Sequence, residues 1–175
     1  MTYGVRQFQL TLMHRMRDLN SDRVQQALTD LRASRAEEGA AHSQWTRRTY
    51  YAKGLSPYRS ALGEPSYRGE HSLGAVTCDV VRWALPYWPG LEFEVMVGPD
   101  RRVWNQWFVR PAGDKKVSMA GLRPWTCVIG DVCASFPGAR QGEGAAPQQW
   151  TVDFAHDGRP YQARFVYGLL QAVVG

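Results

Sequence analysis

From Leu91 onward the chain alternates, and this alternation limits its architecture more than any other feature. In LEFEVMV the apolar residues Leu91, Phe93, Val95 and Val97 take every second position, with Glu92, Glu94 and Met96 between them. GPDR follows, and RVWNQWFVR answers it. Two such runs joined by a turn-forming segment predict a β-hairpin, because alternate side chains of a strand face the same side. The long aromatic side chains can pair across its strands. QWTVDFAHDGRPYQARFVYGLL repeats the arrangement, with its turn at His156-Asp157-Gly158. Between the hairpins, WTCVIGDV (125–132) reads as a third strand and PGARQGEGAAPQ (137–148) as a flexible loop.

The first part of the chain has a different period. Val5, Phe8, Leu12 and Met16 share one helical face. Asn20, Ser21 and Asp22 then offer a stop and a new N-cap. Val24, Ala27, Leu28 and Leu31 follow at i, i+3, i+4 and i+7, so residues 1–38 predict a helical hairpin that stops at Gly39. Gly54, Pro57, Gly63, Pro65 and Gly69 punctuate 39–71, which reads as a long irregular segment with one helical turn around Trp45–Tyr51. LGAVTCDVVRWAL (73–85) is apolar on nearly every side and predicts a buried helix ended by Pro86. A short strand is the competing reading, since Val76, Val80 and Val81 are β-branched.

Helices first and strands after make an α+β pattern. The expected fold is N-terminal helices packed on an antiparallel sheet of about four or five strands. Its expected core is Phe8, Leu12, Leu28, Leu31, Val76, Val80, Phe93, Val95, Val103, Val128, Val152, Phe154 and Phe165. A length of 175 residues suits one domain, divided as a helical hairpin (1–38), an irregular basic and aromatic segment (39–71), and a helix plus sheet (72–175).

Hydrophobic residues make up 44% and charged residues 21%, which excludes wholesale disorder. No apolar run approaches the ~20 residues of a membrane span, so no membrane partner is expected. Residues 1–19 lack a basic segment followed by a continuous apolar run, and the three cysteines are an odd number. Both features lead to an expected intracellular, cytoplasmic setting with free thiols.

The net charge is +5, and the surplus is local. Residues 1–70 hold eleven basic and seven acidic side chains; residues 71–175 hold ten and nine. Arginine outnumbers lysine eighteen to three. Guanidinium suits phosphate contacts and stacking, although a GC-rich coding sequence produces the same bias. Trp45, Arg47, Arg48, Tyr50, Tyr51 and Lys53, with Arg59 and Arg68 downstream, interleave cations with aromatic rings. Cations neutralise phosphates, and exposed rings stack on unpaired bases. The expected function is therefore non-enzymatic binding, with these eight residues contacting RNA or DNA.

Two alternatives come from other features. Seven tryptophans are many for this length, and indoles favour interfaces, so a Trp/Tyr surface for a protein partner or a homo-oligomer is the first. The second is a cysteine-dependent, self-processing hydrolase. If Thr77 caps a helix, Cys78 stands in its first turn, where the helix dipole lowers a thiol pKa; His156 would be its base, oriented by Asp153 or Asp157. This order of cysteine, strands and histidine resembles that of papain-like hydrolases. No cofactor and no metal are expected. Cys127 and Cys133 lack the short spacing of zinc ligands, and no phosphate-loop, dinucleotide, zincin or serine-hydrolase motif is present.

Overall fold

A computed structural model describes residues 2–175. Four helices come first: α1 (Val5–Met16), α2 (Ser21–Asp30), α3 (Arg35–Tyr50) and α4 (Ser56–Leu62). Strands β1 (Tyr67–Leu73), β2 (Val76–Ala84), β3 (Glu92–Val97) and β4 (Val103–Val109) form a sheet in that order. After a 3-10 turn at Met119–Gly121, helix α5 (Ile129–Ser135) precedes a second sheet. That sheet runs β5 (Arg140–Glu143), β6 (Gln149–His156), β7 (Arg159–Val166) and β8 (Leu169–Val174). The fold class is α+β, with two four-stranded antiparallel sheets where the sequence predicts one.

The described residues pack as two compact units. The first holds residues up to Pro89 together with Phe93–Gln106; the second holds Gly90–Glu92 and Trp107–Gly175. In the first, aromatic rings tie helices to sheet. Phe8 of α1 lies edge-on to Trp45 of α3 at 4.9 Å and to Phe93 of β3 at 5.2 Å. Tyr58 of α4 meets Trp45 at 5.1 Å and stacks on Trp83 of β2 at 6.1 Å. Burying each such side chain stabilises by about 1.5–3 kcal/mol. In the second unit Ile129, Val132 and Phe136 of α5 pack with Val152, Phe154, Ala163, Phe165 and Leu170 of the sheet.

The two predicted hairpins form. β6 and β7 pair from Gln149↔Val166 to His156↔Arg159, and the turn has positive φ at Asp157 and Gly158, as a type I′ turn requires. Of the expected core, Phe8, Leu12, Leu28, Val80, Phe93, Val95, Val128, Val152, Phe154 and Phe165 are buried, while Leu31, Val76 and Val103 are half-buried.

Several segments differ from the expectation. The second helix does not run to residue 38; it ends at Asp30, and Arg32 takes a positive φ of 49°. Ser34 then starts α3, its hydroxyl accepting from Glu37 N while Ser34 N donates to the Glu37 carboxylate. Gly39 is therefore interior to a helix. The irregular segment 39–71 resolves into the rest of α3, then α4 and β1. The predicted helix 73–85 is strand β2, entered from β1 through a tight turn in which Gly74 has φ 60°. Its β-branched residues prevail, with Cys78 and Val80 buried and Thr77 and Asp79 exposed. The predicted strand 125–132 gives way to α5, where the Asp131 carboxylate accepts from Val128 N and fixes the first turn. Within 137–148, residues 140–143 pair with β6.

Candidate functional site

Helix α3 carries the basic and aromatic cluster and sorts it by face. Glu38, Ala41 and Trp45 are its buried residues, spaced three and four apart along one side. Trp45 therefore stacks on Tyr3 at 5.4 Å and contacts Phe8 and Tyr58; it is not a platform for bases. Tyr50 and Tyr51, at the helix end, are 73% and 89% exposed. Their rings meet edge to face at 4.5 Å. Nothing in the burial of the chain accounts for two adjacent tyrosines held in water.

The cations also divide. The Arg48 guanidinium lies 5.1 Å from the Tyr3 ring centre and within 3.5 Å of the Ser60 hydroxyl, so it is largely committed inside the fold. Arg68, on β1, donates to Glu64 at 2.7 Å. Arg47, Lys53 and Arg59 are exposed and form no ion pair among the described residues. Of the eight predicted contacts, Arg47, Tyr50, Tyr51, Lys53 and Arg59 remain available.

Lys53 and Arg59 line a common cleft. After α3, Gly54 turns the chain with φ 64°, and Pro57 in the first turn of α4 suits a helix start, where its missing N–H leaves no gap. Arg59 then faces outward. The cleft encloses about 500 Å3 and is also bounded by Asp79 of β2 and by the β3–β4 turn, Val97 to Arg101. Arg101 is a wall residue that sequence reading misses. Glu94, on the neighbouring strand β3, binds Arg82 of β2 at 2.7 Å. The overlooked signal is the GPDR turn, which brings Arg101 to a place distant in sequence from Lys53 and Arg59.

The hydrolase arrangement has lost its premise. Cys78 is fully buried on strand β2, with no helix N-terminus to activate it. His156 belongs to the second unit, lies 3.4 Å from its neighbour Asp157 and rests edge-on against Phe136. Asp153 accepts from the Gln162 amide at 2.9 Å and does not orient that imidazole. The tryptophans divide by burial as well. Trp45, Trp83, Trp88 and Trp125 are buried, Trp107 and Trp150 are half-buried, and Trp104 is exposed but donates to Asp100. Among the described residues no three metal-ligating side chains gather at one point, and no helix is long and apolar enough to cross a membrane.

No protein-family model matches the chain, and no curated protein sequence matches it. Among solved structures there is a likeness to a Streptococcus mutans crystal structure described as a "putative beta-lactamase inhibitor protein". The identity is 8%, the match covers 73% of this chain and 85% of that one, and the TM-score is 0.31. A likeness at that score carries no argument about fold or function.

Proposed function

We propose that this chain is a non-enzymatic binding protein that holds single-stranded RNA or DNA at the end of α3 and the segment after it. The observation that carries the proposal is the exposed Tyr50–Tyr51 pair beside Arg47, Lys53 and Arg59, three cations without carboxylate partners among the described residues. The cations meet phosphates and the two rings stack on bases, each worth about 1–3 kcal/mol. An intracellular setting belongs to the same proposal and is supported by three unpaired cysteines.

Fluorescence anisotropy with labelled single-stranded 12-mers tests it. Engagement of the three cations gives a log–log salt slope of about −2, and hence roughly twentyfold weaker binding at 200 mM than at 50 mM salt. Arg47→Gln, Lys53→Gln and Arg59→Gln each flatten the slope by about 0.7. Tyr50→Ala and Tyr51→Ala weaken binding without changing the slope. Absence of binding at micromolar protein in low salt overturns the proposal.

A further inference from the structure

The cleft beside this surface has a shape and a charge that a strand running past it does not need. Three of its wall residues are cations, Lys53, Arg59 and Arg101, and one, Asp79, is a carboxylate, a balance of +2. An internal phosphodiester has one negative charge and continues in both directions. A phosphate monoester is close to a dianion at neutral pH and ends the chain it belongs to. A concave volume of about 500 Å3 is of the size that encloses a small ligand and far too small to admit a duplex.

The β3–β4 turn forms one wall of the cleft. Arg101 sits in the left-handed region, φ 62°, a conformation that glycine adopts without strain and arginine does not. Its N–H donates to Gly98 O at 2.9 Å, and Gly98 N donates to Arg102 O, which closes the turn. Asp100, the nearest carboxylate in sequence, is occupied by Arg102 N at 3.1 Å and by the Trp104 indole at 3.0 Å. The Arg101 guanidinium consequently has no ion pair among the described residues. Gly54, whose φ of 64° suits glycine, turns the Lys53 loop so that it lies in van der Waals range of the Arg101 carbonyl. The turn thus leaves the Arg101 guanidinium, unpaired among the described residues, on the wall of the cleft that Lys53 and Arg59 also line.

We propose that the cleft walled by Lys53, Arg59, Arg101 and Asp79 holds a phosphate monoester, the group at the end of a nucleic-acid strand or on a free nucleotide. Two or three cations contact its non-bridging oxygens. Asp79 accepts from a sugar hydroxyl or a base amino group of the same nucleotide. The source of the phosphate rests on the nucleic-acid function proposed above; the cleft chemistry does not.

The test compares 12-mers ending in a 5′-phosphate, a 3′-phosphate or hydroxyls, with a nucleoside monophosphate titrated separately by calorimetry. Arg101→Gly is the central variant, because it removes the guanidinium and suits the backbone, and its thermal melt verifies the fold. Expected is about tenfold tighter binding of one phosphorylated end than of the hydroxyl end, an advantage lost in R101G while hydroxyl-ended binding changes less than about twofold. Equal affinities for all ends overturn the cleft assignment and leave strand binding standing. Binding of the monophosphate, abolished in R101G, without binding of any 12-mer supports the cleft and overturns the strand. Binding of neither overturns both.

Discussion

His42 is the residue with the most to lose from acid. Its ring stacks on His14 of α1 with 4.3 Å between centres, and its Nδ1 is buried without a hydrogen-bond partner among the described residues. Buried Glu38, one turn earlier on α3, has its Oε1 3.1 Å from His14 Nδ1 and 3.4 Å from Arg17, while its Oε2 is buried without a hydrogen-bond partner among the described residues. Burial first, then the neighbouring His14 and Arg15, hold the His42 pKa below its usual value near 6.5. The unfolded chain therefore takes up this proton before the folded one does. The stabilising contribution is complete above pH 6.5 and falls as pH drops through that value toward the lower folded pKa. Urea melts from pH 7.5 to 5.5 should show decreasing midpoints, and His42→Phe, which keeps a stacked ring and takes no proton, should flatten the trend. The tyrosine–tryptophan contrast on the same helix is equally direct. Trp45→Ala should cost about 3–5 kcal/mol in chemical denaturation. Tyr51→Ala should stay within about 0.5 kcal/mol, since its ring is exposed.

Among the elements, α3 shows how a stop signal can mislead. Gly39 lies inside the helix with nothing within 4 Å of a Cβ placed there, so Gly39→Ala should add about 0.5–1 kcal/mol and raise the melting temperature by a few degrees. The Ser34-x-x-Glu37 box was the better boundary signal, because it satisfies two backbone donors where a glycine only permits a turn. Helix α1 was legible from the spacing of Phe8, Leu12 and Met16, all buried, although Gln9 and Thr11 between them are buried too, and the hairpins β3–β4 and β6–β7 from their alternation. Strand β1 was not, since six of its seven residues are exposed and no alternation survives. β2 was misread because Val80 and Val81 are both buried, which erases the period of two. The candidate site was half legible for a related reason. Lys53 and Arg59 fall in one run of sequence, whereas Arg101 reaches them only through the sheet. Helix α5 hangs on Asp131, buried and bound by Arg110 Nη2 at 2.8 Å, Lys115 N and Val128 N. Removing it in Asp131→Ala strands the half-buried Arg110 and should cost about 3–5 kcal/mol, measured as a loss of the second unit's stability.

At the scale of the whole molecule, the cysteines report on each unit separately. Cys78 is buried in the first and Cys127 in the second, while Cys133 is exposed. Iodoacetamide in native buffer should modify Cys133 alone, and slowly, because partial burial and the nearby Asp114 push its thiol upward. Cys78 and Cys127 should each gain reactivity only as their own unit unfolds in urea, which peptide mapping resolves. Native labelling of Cys78 would show that β2 opens without global unfolding. Strand order equals sequence order in both sheets, so within each sheet every strand after the first pairs with the one synthesised just before it. Loop closure therefore asks little entropy of the strand pairing, and pairs of such low sequence separation form quickly, whereas ring contacts such as Phe8–Phe93 must close over a long stretch of chain. As it leaves the ribosome, each hairpin can close before the next strand has emerged, and an unpaired apolar edge is left waiting for only one strand's length of synthesis.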